Sequence, residues 1–218
     1  MLVLAIDTST PAVTAGVATL TGTAVTVLAE RVTLNPRAHG ELITPHALDA
    51  AREAGVTFRQ LDAIVCGVGP GPFTGLRAGM ATAAALGHGL GVPVHPVCSL
   101  DAIAAGADAG EPFLVVTDAR RREVYWASYD ADGRRVDGPH VQAPEPLGAS
   151  VAAGDGARLY EEKLGVRVLE PYYPTVAGLV TVAVPALSSD AAPAPLTPLY
   201  LRRPDAVEPG ARKRVTAS

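Results

Sequence analysis

Apolar residues in this chain fall mostly into short unbroken runs separated by glycine, proline and aspartate. Residues 2–6 form one such run and read as a fully buried strand. Residues 12–20 alternate through Val13, Ala15 and Val17 and read as a second strand. Thr21-Gly22-Thr23 turns it, and residues 24–32 read as a third, so the chain is expected to open with an antiparallel meander. Residues 41–54 predict a helix closed by Gly55, with Pro45 either in its first turn or kinking it. A strand over 61–67, a turn rich in glycine and proline, and an alanine-rich helix over about 74–90 follow. Residues 92–97 predict a short strand, and 99–107 a helix capped by Ser99.

The pattern then restarts. Phe113-Leu114-Val115-Val116-Thr117-Asp118 repeats the form of Leu2-Val3-Leu4-Ala5-Ile6-Asp7, an apolar strand that ends in aspartate. Residues 124–129 echo the second strand, Asp132-Gly133 makes a hairpin turn, and Arg135-Val136 begins a third strand. Beyond this the echo weakens to a short strand at 151–153 and a helix at 159–164. A further helix is expected within 175–187, then a loop over 188–198 and a returning strand at 199–202. The duplication predicts an α/β fold of two ribonuclease-H-like lobes facing a cleft, each a mixed sheet with flanking helices. The division expected is 1–100, 101–203 and a flexible tail, 204–218, whose end is basic.

Composition narrows the function. The chain has 18 lysines and arginines against 22 acidic residues, a net charge of −4, without the basic surplus of a free-standing nucleic-acid binder. Cys66 and Cys98 lie in apolar stretches and read as small buried hydrophobes rather than a disulfide framework. The N-terminus lacks a signal-peptide pattern, and no apolar run reaches the ~18–20 residues of a membrane span. A reducing, cytoplasmic setting is the expectation.

Two features carry candidate chemistry. Val68-Gly69-Pro70-Gly71-Pro72-Phe73-Thr74-Gly75-Leu76-Arg77 joins a strand to a helix N-terminus, the usual geometry of an anion cradle. Asp7 and Asp118 each end an apolar strand followed by a hairpin, a duplication that resembles the actin, sugar kinase and Hsp70 superfamily. The resemblance implies that the two carboxylates could organise Mg²⁺ across the cleft, with Thr8 and Ser9 reaching phosphate oxygens. Equally, both aspartates could simply end strands, with Thr8, Ser9 and Thr10 satisfying turn backbone.

Five blocks occur in order: Asp7-Thr8-Ser9-Thr10; His39-Gly40-Glu41-Leu42; the glycine–proline block; Asp118-Ala119-Arg120-Arg121-Arg122-Glu123-Val124-Tyr125; and Pro198-Leu199-Tyr200-Leu201-Arg202. Together they resemble the bacterial TsaB family over nearly the whole chain, most weakly between about 138 and 195. The resemblance implies a non-catalytic dimerisation subunit of the complex that makes N6-threonylcarbamoyladenosine in tRNA. It implies a heterodimer with the paralogue TsaD, a ternary complex with the ATPase TsaE, a homodimer when alone, and contact with tRNA only through the complex. TsaD-like proteins carry a histidine metal motif after a short strand; here Ser99 and Ile103 stand at the histidine positions, so that site is lost and no metal is expected. Ala119 and Arg120 follow Asp118 where superfamily kinases have glycine, and Gly154-Asp155-Gly156-Ala157 only partly matches an adenosine motif. Asp7, Ser9 and Asp118 therefore read as a degenerate nucleotide cleft with no cofactor, and no nucleophilic triad is evident. The partner contact is expected on the two N-terminal helices, at His39, Leu42, His46, Leu76, Met80 and Ala84. The alternative is an ATP-dependent phosphotransferase of the sugar or acyl kinase type, built on Asp7 and Asp118.

Overall fold

The computed structural model describes residues 1–202; the expected tail at 204–218 lies outside the described residues. Strands β1 (Leu2–Asp7), β2 (Ala12–Thr21) and β3 (Ala24–Leu34) form the opening antiparallel meander. Helix α1 (His39–Glu53) leads to β4 (Ala63–Gly67), α2 (Phe73–Leu90) and β5 (Val94–Val97). Strand β4 pairs in parallel with β1 and β5, which gives the order β3-β2-β1-β4-β5. After α3 (Ser99–Ala104), β6 (Phe113–Asp118), β7 (Val124–Tyr129) and β8 (Arg135–Gln142) form a second meander. Strands β9 (Val151–Ala153) and β10 (Arg167–Leu169) add in parallel, so the second sheet runs β10-β9-β6-β7-β8. Each sheet places its aspartate-ending strand at the centre and its meander on one side. The duplication is thus one of topology, and the two mixed sheets with flanking helices are the α/β fold expected.

Burial on both faces explains why the central strands read as continuous apolar runs. Leu4, Ile6, Val13, Val17 and Ile64 pack with Ile43 and Ala47 of α1 and Leu76 and Met80 of α2. Val3, Ala5, Ala18 and Val65 face the opposite side and meet α6 (Val176–Leu187). On the second sheet, Phe113, Val115 and Tyr129 pack with Leu100 and Ile103 of α3. The other face, through Leu114 and Val116, covers α4 (Asp155–Leu159) and α5 (Glu161–Leu164) with Ala157 and Leu164. Helix α3 also packs closely on α6: a Cβ on Gly178 would sit 2.0 Å from the Ala102 carbonyl oxygen.

Of the two expected placings of Pro45, in the first turn or at a kink, the structure puts it inside α1. Local details depart from the sequence expectation in two places. Ser99 is the first residue of α3 rather than its cap, and its hydroxyl is used elsewhere. Residues 199–202 run without a ladder, because Pro195 and Pro198 remove donors and only Leu199 N–H reaches the Val68 carbonyl, at 2.8 Å. Gly55 does close α1, with φ of 69° and its N–H bonded to the Arg52 carbonyl. Cys66 is buried and Cys98 half-buried, and burial pushes both thiols up, Cys98 to about 11. Among the described residues no helix is long and apolar enough to cross a membrane.

Candidate functional site

The glycine–proline turn leaves the end of β4 and presses against the turn that follows β1. Glycine is required by φ at Gly69, 92°, and by contact at two others: a Cβ on Gly71 would lie 2.1 Å from the Ser9 carbonyl oxygen, and one on Gly67 would overlap the Asp7 carboxylate. The two turns are also hydrogen-bonded into one unit. Thr8 Oγ1 donates to the Gly75 carbonyl at 2.7 Å and accepts from Gly79 N–H at 3.0 Å, so it is inserted beside the first turns of α2. Gly79 lacks a Cβ where Thr8 Oγ1 would otherwise be 2.3 Å away.

Asp7 is 1% exposed and saturated by neighbours. Its Oδ1 accepts from Ser9 N–H at 2.8 Å and from Ser9 Oγ at 2.7 Å, and its Oδ2 accepts from Ser99 Oγ at 2.5 Å. Ser99 Oγ in turn accepts from Gly69 N–H at 3.2 Å, while Ser99 N–H donates to the Gly69 carbonyl at 2.8 Å. Burial raises the Asp7 carboxyl above its ordinary value, against the Ser99 and Ser9 hydrogen bonds that favour the anion. The carboxylate therefore pins β1, the glycine–proline turn and α3 together.

A cleft of about 620 Å³ opens beside this unit. Thr8, Thr10, His39 and the Gly71–Gly75 stretch line the first-sheet side, and Asp118, Arg120 and Tyr125 the other. Asp7 and Ser9 are not part of its lining, so the structure separates them from Asp118, which is half-buried at the opposite wall. The lining also holds Arg37, Arg121 and Arg202, which gives it a basic character that sequence reasoning missed. The turn joining β6 to β7 is unusual: Arg120, Arg121 and Arg122 have φ of 60°, 56° and 62°. Three consecutive left-handed non-glycine residues cost about 1–2 kcal/mol each. The arginine run was visible in the sequence; its backbone conformation was not.

Asp155 sits behind Asp118 and its Oδ1 accepts from Asp118 N–H at 3.4 Å. Burial, with the Asp118 charge adding to it, pushes the Asp155 carboxyl up to about 7. A strap from the C-terminal part runs beside the cleft and contributes Arg202 to its lining. Arg77 Nε donates to Tyr200 Oη at 2.6 Å, and the Tyr200 ring meets Phe73 edge-on at 4.6 Å. Two residues on, Arg202 Nη1 donates to the Ala119 carbonyl at 3.3 Å and the guanidinium pairs with Glu123. The strap thus holds the glycine–proline turn and the arginine turn at once.

The six residues expected at a partner contact separate into two groups. His39 is buried with Nε2–H donated to the Thr10 carbonyl at 2.8 Å, and Leu76 and Met80, 0% and 7% exposed, belong to the chain's own core. His46 is half-buried with its Nε2 2.8 Å from Thr33 Oγ1, and burial lowers its pKa. Leu42 is half-buried and Ala84 is exposed. The outward face of α2 carries Ala81, Ala84, Ala85 and His88, and that of α1 carries Thr44, Pro45 and Leu48, the last 47% exposed. Among the described residues no group of three or more histidine, cysteine, aspartate or glutamate side chains could hold a metal ion.

The family model for TsaD, tRNA N6-adenosine threonylcarbamoyltransferase, matches residues 26–151, more than half of the chain. An uncharacterised protein of Mycobacterium leprae is 54% identical over 206 residues, which are 94% of this chain and 56% of that protein. The tRNA threonylcarbamoyladenosine biosynthesis protein TsaB of Escherichia coli is 37% identical over 135 residues, 61% of this chain and 56% of the relative. The chain therefore spans just over half the length of both curated relatives. The solved structure of YeaZ from Pseudomonas aeruginosa is 30% identical and superposes with a TM-score of 0.75, covering 92% of this chain and 99% of that one. Matched in sequence to proteins of that name and in its two-lobed fold to YeaZ, the chain belongs to the TsaB family.

Proposed function

We propose that this chain works in the formation of N6-threonylcarbamoyladenosine in tRNA as a non-catalytic pairing subunit. It binds a TsaD-type threonylcarbamoyl transferase through its first lobe and supports an assembly that includes a TsaE-type ATPase and tRNA. The names of its relatives point to the pathway. The observation that carries the pairing role is the state of Asp7-Thr8-Ser9-Thr10. Residues that a phosphotransferase would turn toward Mg-nucleotide are bound to the chain's own turns, with Asp7 buried away from the cleft lining. That arrangement weighs against the competing reading of an ATP-dependent phosphotransferase, which needs the Asp7 carboxylate free.

The pairing surface on this reading is the outward side of α1 and α2. Small side chains at Ala81, Ala84 and Ala85 let a second helix pair approach closely, and Leu48 supplies exposed apolar area. The first lobe, residues 1–100 with α6 laid on its sheet, carries this surface. The test is co-purification with the cognate TsaD-type protein, read by size-exclusion chromatography. Ala84→Glu abolishes the heterodimer while leaving the melting temperature of the isolated chain unchanged. A heterodimer that forms normally with Ala84→Glu and Ala85→Glu would refute the surface. A chain with Mg²⁺-dependent phosphotransfer activity that disappears in Asp118→Asn would refute the non-catalytic role.

A further inference from the structure

The C-terminal strap also touches one end of the proposed pairing surface. Along α2, Arg77, Ala81, Ala84 and His88 follow at spacings of four, three and four, so Arg77 stands at the N-terminal end of the outward stripe of small residues. It is exposed, and it is the only lysine or arginine of the helix. The strap holds its guanidinium to one side. Arg77 Nε donates to Tyr200 Oη at 2.6 Å, and the guanidinium carbon lies 5.5 Å from the centre of the Tyr200 ring and 5.9 Å from that of Phe73. The two rings meet edge-on at 4.6 Å, so the arginine is folded back toward the first turn of α2, the direction a helical side chain favours. Tyr200 is placed there by anchors before and after it. Leu196 and Leu199 pack on the first core and Leu199 N–H reaches the Val68 carbonyl, while Arg202 is bound to the Ala119 carbonyl and to Glu123.

Close approach of a second helix needs the stripe clear along its length. An arginine without a partner samples many rotamers, and some of them project from the stripe. Such a side chain must be ordered as the partner arrives, and arginine is among the costliest to order. In this chain the hydrogen bond to Tyr200 and the faces of two aromatic rings order it beforehand. We propose that Tyr200 is a latch that holds Arg77 back so that a partner helix pair can lie along α2, and that the seating of the strap thereby sets how tightly the chain pairs. The inference rests on the pairing surface described under Proposed function. Tyr200 acts through Arg77 and is a positioning residue, not a contact of the partner. Neither side chain lines the cleft, so the latch is separate from it.

The test is a double-mutant cycle on the full chain, read as the Kd for the immobilised cognate TsaD-type protein. Tyr200→Ala keeps the fold, because Tyr200 is partly exposed and Leu196 and Leu199 still seat the strap in the first core. It weakens pairing by about three- to tenfold, the range for ordering one long side chain at an interface. Arg77→Ala pairs as tightly as the wild type or more tightly. The double variant pairs like Arg77→Ala alone, because the side chain that needed holding is gone. A Tyr200→Ala chain that pairs like the wild type overturns the latch. A double variant as weak as Tyr200→Ala overturns it in favour of direct contact between Tyr200 and the partner. An Arg77→Ala chain that is itself weakened overturns it in favour of Arg77 as a partner contact. Ala84→Glu separates these results from the pairing reading. If Ala84→Glu blocks pairing while Tyr200→Ala does nothing, the latch alone falls. If the wild type forms no heterodimer, or one that Ala84→Glu leaves intact, the pairing surface is refuted and the latch with it.

Discussion

Ser99→Ala should reveal what the Asp7 carboxylate does. The Ser99 hydroxyl is 1% exposed, donates to Asp7 Oδ2 at 2.5 Å and accepts from Gly69 N–H at 3.2 Å. Its loss removes a hydrogen bond to a buried charged group, worth about 1.5–3 kcal/mol, and strands a backbone donor at a cost of about 1 kcal/mol or more. The sum is about 2.5–4 kcal/mol, or roughly 5–16 °C in melting temperature for a chain of this size. The effect should depend on pH. Burial raises the Asp7 carboxyl, so above 3.8 the unfolded chain ionises while the folded chain still holds its proton. The unfolded state then binds fewer protons, and stability falls as pH rises through the interval from 3.8 up to the folded value. The Ser99 bond counteracts this by favouring the anion, so alanine widens the interval and the mutant loses more stability at pH 8 than at pH 4.5. Urea unfolding of wild type and Ser99→Ala at those two pH values is the assay. A loss below about 1 kcal/mol, or one equal at both pH values, would falsify the view of Asp7 as a charged staple.

Asp155 should contribute the same sign of pH dependence from the second lobe. With its carboxyl at about 7 in the folded chain, stability is lost as pH rises from about 4 to about 7. Asp155→Asn should reduce that slope by at most about 4 kcal/mol over the interval, read from denaturant midpoints; an unchanged slope would place the proton elsewhere. Gly71→Ala, with its Cβ 2.1 Å from a backbone oxygen, should destabilise by about 2–3 kcal/mol. Gly89→Ala, inside α2 with nothing within 4 Å, should stabilise by about 0.5–1 kcal/mol, and melting curves that reverse this order would contradict the packing described. Leu76→Ala should destabilise by about 2–5 kcal/mol because the side chain is wholly buried in the first core; a neutral result would restore it to an outer surface.

The doubled fold was legible because its signal is repeated. An apolar strand ending in aspartate, followed by a hairpin, occurs at Leu2–Asp7 and again at Phe113–Asp118, and both become central strands of equivalent sheets. Strand β10 and helix α4 escaped for local reasons: β10 offers only Val168 and Leu169 between Arg167 and Glu170, and α4 opens on Gly154-Asp155-Gly156, which reads as a turn. Helix α6 was legible as a helix, but its destination was not. Its residues are apolar nearly all round, so no polar face indicates that it packs on the first sheet rather than the second. Helix α2 poses the same problem in a sharper form. Leu76, Met80, Ala83 and Gly87 make one small apolar face, and Ala81, Ala84, Ala85 and His88 make another. Periodicity finds both faces but does not say which one meets the chain's own sheet, and the expected contact set mixed them. The Asp7-Thr8-Ser9-Thr10 turn was open in another way, because hydroxyls beside an aspartate suit phosphate and turn backbone equally well. Three-dimensional contact decides between them. Each Asp7 oxygen has its donors, Thr8 is held between Gly75 and Gly79, and the glycines of the neighbouring turn leave no room for a side chain there.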